Sequence, residues 1–398
     1  MFDADVIIVG AGPVGMLSAL LAKKAGLPAV ILEKNCERVR NSRAIGITPP
    51  TLEILRDAGL DRKFIGKGVR VFRSEIRGKR ACLGRTDFSC FRSDFKFILA
   101  IPQNITESIL EEEIEKNCGI RILRGYEVTG LSWNGPGLII KGRKSRDFSS
   151  GPSGENFELS SRFAIACDGG KSIMRELIGV RFIGAPYKDT FIMGDFGDNS
   201  GWKDEARIFV TPRGSVESFP LPGEKRRYVL RTPYYIKENT TDYLEREIPK
   251  RCGVEAGKVR KYWESSFGVQ HYLAERFYKN RVFLCGDAAH LMPPIGGQNM
   301  NVGFADAELA VWAAFQMIRD ERNIKKTALF YSTIRRKSAK SAASRAGILM
   351  KAGTSGGFVW SFIRSVIGFI IMHSIFKNFA LSVAGMINLP YRNMASYR

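Results

Sequence analysis

Val6-Ile-Ile-Val-Gly10-Ala-Gly-Pro-Val-Gly15 stands near the start of the chain. An apolar run of four residues is the length of a strand buried on both faces, and it ends in a glycine-rich turn. Met16 to Ala25, rich in Ala, Leu and Lys, then reads as a helix, and Ala29-Val-Ile-Leu-Glu33 as a second strand. Strand, glycine turn, helix and strand, with an acid at the second strand's tip, is the order of a dinucleotide-binding unit. Gly10 permits the tight turn, Gly12 lets a pyrophosphate approach the backbone, and Gly15 lets helix and strand pack closely. The helix N-terminus faces the phosphates, and Glu33 is placed to accept ribose hydroxyls. No second fingerprint of this kind, with a strand before it and a helix after it, follows downstream.

The rest of the 398-residue chain is long enough for two domains, and 44% hydrophobic with 25% charged residues is ordinary for a globular protein. Seven scattered cysteines without CxxC spacing argue against a disulfide framework or a zinc site. Three histidines, His271, His290 and His373, make no ligand cluster, so no metal is expected. The start lacks the basic region of a secretory signal, and the expected location is cytoplasmic.

A net charge of +21 raises nucleic acid as a partner, so its distribution matters. From Arg322 to Arg398 there are 13 Lys or Arg and no Asp or Glu. The same segment holds the apolar run Phe358 to Phe376, whose uncharged stretch between Arg364 and Lys377 is 12 residues. That is short of the roughly 20 residues needed to span a bilayer. Two readings stay open: a helix packed on the protein's own core, or a helix lying on an anionic membrane surface through residues 322–398. No helix-turn-helix, zinc finger or aromatic RNA platform is present, so no nucleic-acid partner is expected.

Between these ends, Ser108 to Asn117 reads as a helix, and Ile120-Arg-Ile-Leu123 and Phe163-Ala-Ile-Ala-Cys167 as strands. Residues 143–156 read as a turn or loop. From about Tyr187 the pattern alternates, as in Arg207-Ile-Phe-Val210 and Arg227-Tyr-Val-Leu-Arg231, which marks a sheet inserted into the α/β unit. Domain boundaries follow: 1–70, 98–186 and 271–345 for a discontinuous nucleotide-binding domain, 71–97 and 187–270 for a sheet domain, and 346–398 for a basic, apolar helical segment.

Four segments resemble the class A flavoprotein monooxygenases, the group that includes p-hydroxybenzoate hydroxylase and many polyketide hydroxylases. They are the glycine fingerprint, Ser42-Arg43-Ala44, Cys167-Asp-Gly-Gly-Lys-Ser-Ile-Met-Arg175, and Ala274 to Asp287 continuing into His290 and Pro293-Pro-Ile-Gly-Gly-Gln-Asn-Met-Asn301. The resemblance covers roughly residues 1–320. It implies a Rossmann-like FAD-binding α/β domain with an inserted β-sheet substrate domain and C-terminal helices. It further implies FAD as cofactor, held by Gly10, Gly12, Pro13, Val14, Gly15, Glu33, Lys34, Arg43, Gln103, Asp168, Gly286, Asp287, Pro294, Gly296, Gly297, Gln298, Asn299, Met300 and Asn301. NADPH or NADH would be the electron donor and O2 the co-substrate, with oxygen passing from a flavin C4a-hydroperoxide to a lipophilic, aromatic or quinone-like molecule. The alternative is a reductase of prenyl double bonds.

Asp287 is suited to a ribityl hydroxyl, and a helix beginning near Gly297 to the negative edge of a reduced flavin. Asn299 departs from the family pattern, which has glycine there. His290 reads as a shaper of the loop rather than a base, and no catalytic residue is assigned. Phe191, Phe209, Phe219 and Tyr228 are candidates for the substrate lining or for the sheet's own core.

Overall fold

The computed structural model describes residues 2–38, 44–78, 82–117, 119–145, 154–294 and 296–354, with residue 366. Three of the strands read from the sequence form the centre of one sheet. Ala4–Val9 lies between Ala29–Glu33 and Asn156–Ala166, parallel to both, with Val6 opposite Ala29 on one side and Phe163 on the other. Val282–Leu284 and Arg121–Arg124 extend it as further parallel strands. Ile7, Ile8, Ile31 and Ile165 have no exposed surface, as expected of parallel strands covered on both faces. The helices Pro13–Lys24 and Gln298–Arg319 pack against each other.

A second sheet of eight strands runs in the order His290–Leu291, Lys261–Ala274, Phe182–Gly197, Lys225–Thr232, Gly214–Leu221, Ala206–Thr211, Arg73–Arg77, Cys82–Asp87. One face carries the helix Thr240–Cys252, which the sequence reading did not include. Leu244 and Ile248 bury themselves there against Ile192, Phe209, Val216, Tyr228 and Leu230. Phe209 and Tyr228 are therefore core residues of that layer. The opposite face meets Met350 of the last helix at one end. At its other end Phe219 and Ala206 meet Val71, Ile98 and Ala100 of a three-stranded sheet made of Gly46–Ile47, Ile98–Ala100 and Val69–Val71.

The long strands Phe182–Gly197 and Lys261–Ala274 reach across the boundaries expected at 186/187 and 270/271, so the two layers are joined by continuous strands. The helix Ile324–Thr354 likewise runs through 345/346 without a break. Its Tyr331, Arg335, Ala339, Ala342 and Ala346 are fully buried, so this part of the basic segment packs on the protein itself. The apolar run Phe358–Phe376 lies outside the described residues apart from residue 366. Among the described residues no helix is long and apolar enough to cross a membrane.

Leu244→Ala removes a fully buried side chain from the Thr240–Cys252 helix that covers its sheet face. It should cost about 2–5 kcal/mol, seen as a lower urea midpoint with an unchanged slope.

Candidate active site

The glycine turn is built by close approach. Gly10 sits at φ +103°, and a Cβ there would strike the Cys167 carbonyl of the neighbouring strand; a Cβ on Gly15 would collide with the Gly10 carbonyl. A Cβ at Gly12 would meet nothing within 4 Å, so this side of the turn faces open space. Pro13 is the first helical residue, where its missing N–H costs nothing. The Pro13–Lys24 helix has no side-chain cap and no acid in its first turn, so its leading N–H groups are left for an anion. Glu33 holds the turn from below: its carboxylate accepts from Ala11 N at 2.8 Å and from Asn35 N and Nδ2 at 2.9 and 2.7 Å. Lys34 is exposed just beyond it.

A second helix start stands beside the first. Gln298–Arg319 begins after Gly297 at φ +62°, again with no side-chain cap and no acid in its first turn. Val14 of the first turn touches the positions where Gly286 and Gly303 would carry a Cβ, so the two helix starts and the Gly286–Ala288 turn are in contact. Asp287 is exposed at this junction, whereas Gly286, Ala288 and His290 are buried. Pro294, Gly296 and Gly297 are exposed in the same loop, and Met300 packs partly against the core. Gln298 is fully buried, and both polar atoms of its amide lack a partner among the described residues.

Beneath the loop lies a chain of hydrogen bonds that the sequence reading missed. Asn299 donates Nδ2 to Asp287 Oδ1 at 2.7 Å and turns its Oδ1 toward His290 Nδ1 at 2.9 Å. His290 Nε2 reaches Asp306 Oδ2 at 2.7 Å; Asp306 also accepts from Gly286 N at 3.0 Å and from Arg335 Nε at 2.7 Å. His290, Asp306 and Arg335 have no exposed side-chain surface. Burial alone pushes Asp306 up, but the Arg335 guanidinium and His290 beside it hold the carboxyl below the usual range. Asn299 thus bridges an exposed carboxylate to a buried cation and anion. The tie is structural, and His290 is committed to it on both ring nitrogens.

Several residues expected at a cofactor also have protein partners. Asn301 spends its whole side chain on the fold: Oδ1 accepts from Thr48 N at 3.0 Å and Thr48 Oγ1 at 3.2 Å, and Nδ2 donates to Gly46 O and Gly297 O at 2.9 and 2.7 Å. Gln103 accepts from Ala44 N and donates to Glu107. Asp168 accepts from Ser172 Oγ at 2.6 Å and Met174 N at 3.1 Å, and burial still pushes its carboxyl up. Arg175, missed as a site residue, donates to Ala288 O and Gly170 O and lies 3.9 Å above the Phe182 ring, joining the Asp168 turn to the Asp287 turn. Arg43 lies outside the described residues.

A family model described as FAD binding domain matches residues 3–346 of this chain. The chain belongs to that family. Within it, the resemblance to the class A flavoprotein monooxygenases holds, and FAD is the cofactor. Rifampicin monooxygenase from Streptomyces venezuelae is 31% identical over 315 residues, 77% of this chain and 63% of that protein. Anhydrotetracycline monooxygenase from Streptomyces rimosus is 29% identical over 324 residues, 77% of this chain and 62% of the relative. The crystal structure of p-nitrophenol 4-monooxygenase PnpA from Pseudomonas putida DLL-E4 superposes with a TM-score of 0.85 over 98% of both chains, at 23% identity. The p-hydroxybenzoate hydroxylase-like fold is thereby shared. The chain spans about three fifths of the length of the curated relatives it matches.

One further group in this FAD binding domain protein was not legible beforehand. Glu217 lies at the centre of the second sheet, and desolvation pushes its carboxyl up to about 7. A raised acid favours the protonated fold, so its contribution is full below the unfolded value near 4.5 and is lost as pH rises through about 7. Glu217→Gln should therefore gain stability over wild type at pH 8 relative to pH 5, read in urea unfolding at both pH values.

Asp306→Ala, by contrast, strands Arg335 and His290 without their anion. It should cost about 3–5 kcal/mol near neutral pH, read as a fall in the urea midpoint.

Proposed function

We propose that this protein is an FAD-dependent monooxygenase that takes electrons from NADPH or NADH and uses O2 to hydroxylate or epoxidise a lipophilic, aromatic or quinone-like compound. The observation that carries this reading is the direct join between cofactor turn and second sheet. From Gly286–Ala288 the chain passes straight into the strand His290–Leu291, which pairs with Lys261–Ala274 at the sheet's edge. A sheet fused to a cofactor loop in this way brings an apolar surface to the reacting group.

The residues present fit FAD. Two neighbouring helix starts have no side-chain cap, Gly12 faces open space, Asp287 offers an exposed carboxylate, and Gln298 holds a buried donor and acceptor without partners. In this proposal Gly12, Val14 and Gly15 turn backbone N–H groups to the pyrophosphate, Gly10 shapes the turn and Pro13 starts the helix beside it, and Glu33 takes the ribose hydroxyls. Asp287 takes a hydroxyl of the ribityl chain. Gly296, Gly297, Gln298 and Asn299 present the second helix start to the flavin ring, and Asn301 fixes that start in place through Thr48 and Gly46. The bound flavin supplies the redox chemistry with NAD(P)H and O2. The protein's part is to orient the aromatic molecule and keep water away from it.

The relatives named above act, by their names, on rifampicin and anhydrotetracycline, and this favours oxygenation of a polycyclic aromatic over saturation of prenyl double bonds. The basic residues of the 322–398 segment that lie outside the packed Ile324–Thr354 helix keep peripheral contact with anionic membrane within this proposal, with a cytoplasmic setting. Failure of the full chain to sediment with phosphatidylserine vesicles at low salt would remove that contact.

Purified protein loaded with FAD should show the visible bands of bound flavin, bleach on anaerobic addition of NADPH or NADH, and regain colour in air. Polycyclic phenols should speed the bleaching or the uptake of oxygen. A protein that cannot be loaded with FAD, or whose flavin neither nucleotide reduces, would overturn the proposal.

A further inference from the structure

The two faces of the second sheet differ in a way that backbone pairing makes plain. On one face Phe209, Val216, Leu230 and Ile192 stand side by side in register, all buried beneath the Thr240–Cys252 helix. On the other, the row is Ile208, Glu217, Val229, Met193 and Ser265. Ile208, Glu217, Val229 and Ser265 are only partly buried, so this face opens onto space. Phe219 flanks the carboxyl along the strand, Phe191, Met193 and Phe267 cluster beyond Val229, and Arg227 and Arg231 share the face as diagonal neighbours.

The same face is turned toward the cofactor loop. Leu349 touches the position where Gly296 would carry a Cβ, and the next residue, Met350, packs on Phe191 and Met193. At the other end, Phe219 meets Ile98 and Ala100, whose strand pairs with Gly46–Ile47, and Asn301 holds Gly46. Glu217 thus lies between two supports that each contact the helix start at Gly297.

No hydrogen bond or ion pair to Glu217 occurs among the described residues, and the cations of this face are engaged elsewhere. Arg227 is paired with Asp195 at 2.6 and 2.7 Å, and Arg231 with Asp189 at 2.8 Å. A glutamate in mid-sheet is disfavoured, and its desolvation without a partner costs free energy that valine or glutamine would avoid. Such an unpartnered group, raised toward neutrality, is a candidate functional position.

We propose that Glu217 is the specificity-determining residue of the substrate face: its carboxylate accepts a hydrogen bond from a hydroxyl of the aromatic molecule lying between this sheet and the Gly296–Gly297 loop. This rests on the monooxygenase reading and adds to it the residue that tells a hydroxyl on the ligand from an ether in the same place. Carboxylate acceptors discriminate strongly, because a methoxy group in the same place leaves the desolvated oxygen unpaired.

The test is calorimetric binding to FAD-loaded protein of three matched pairs: 4-nitrophenol and 4-nitroanisole, 1-naphthol and 1-methoxynaphthalene, 1,8-dihydroxyanthraquinone and its dimethyl ether. Wild type should bind the hydroxylated member of at least one pair about tenfold or more tightly than its ether. In Glu217→Leu, whose apolar side chain suits its surroundings, the preference should fall to about onefold while FAD content stays that of wild type. In Glu217→Gln it should be intermediate. A preference absent from wild type, a preference that survives in Glu217→Leu, or binding of none of the six probes would overturn the proposal. Failure to take up FAD, or to be bleached by NAD(P)H, would instead strike the monooxygenase reading itself.

Discussion

The cofactor end of this structure is organised by one buried carboxylate. From its own helix Asp306 gathers the Gly286 N–H, the His290 ring and the Arg335 guanidinium, which come from a turn, a short strand and a second long helix. Buried charges persist only when paired and hydrogen-bonded, so the three segments have little freedom to separate without stranding one of them. Asn299 carries the tie outward to Asp287 at the surface of the site. With the turn held in place, Gly286 and Gly303 can touch Val14, and the two helix starts come side by side.

In the proposed FAD site, that arrangement lets residues nearly 300 positions apart serve one ligand. Helix N-termini attract negative charge only over the first turn, so a pyrophosphate and a flavin ring edge each need a helix start of their own. In the proposed site the Pro13–Lys24 and Gln298–Arg319 helices would supply one each, and neither has an acid or a capping side chain to compete. The second sheet grows from the same turn through His290–Leu291, so the face around Glu217 is built in register with the cofactor loop.

Much of the α/β unit was legible in the sequence because its signals are local. The glycine fingerprint, the apolar strands and Glu33 all lie within one short stretch, and steric rules alone order them. The helix Thr240–Cys252 was missed because its polar face is long and its apolar face short, with Leu244 and Ile248 as its anchors. Asp306 and Arg335 were invisible for a different reason. A single acid within Val302-Gly-Phe-Ala-Asp306 and one basic residue among Arg335-Arg-Lys337 look like solvated side chains until the fold brings them together. Glu217 was hidden by alternation itself: it follows Val216, so a half-buried strand would place it in water, yet this sheet is covered or bracketed on both faces.

The central claim is that the two helix starts, far apart in sequence, form one FAD site. Amide hydrogen exchange with and without FAD tests it most directly. The account predicts that FAD slows exchange together at residues 11–16 and 298–302, while the Thr240–Cys252 helix on the far side of the second sheet is unchanged. Slowing at only one of the two helix starts, or at neither while FAD remains bound, would contradict it.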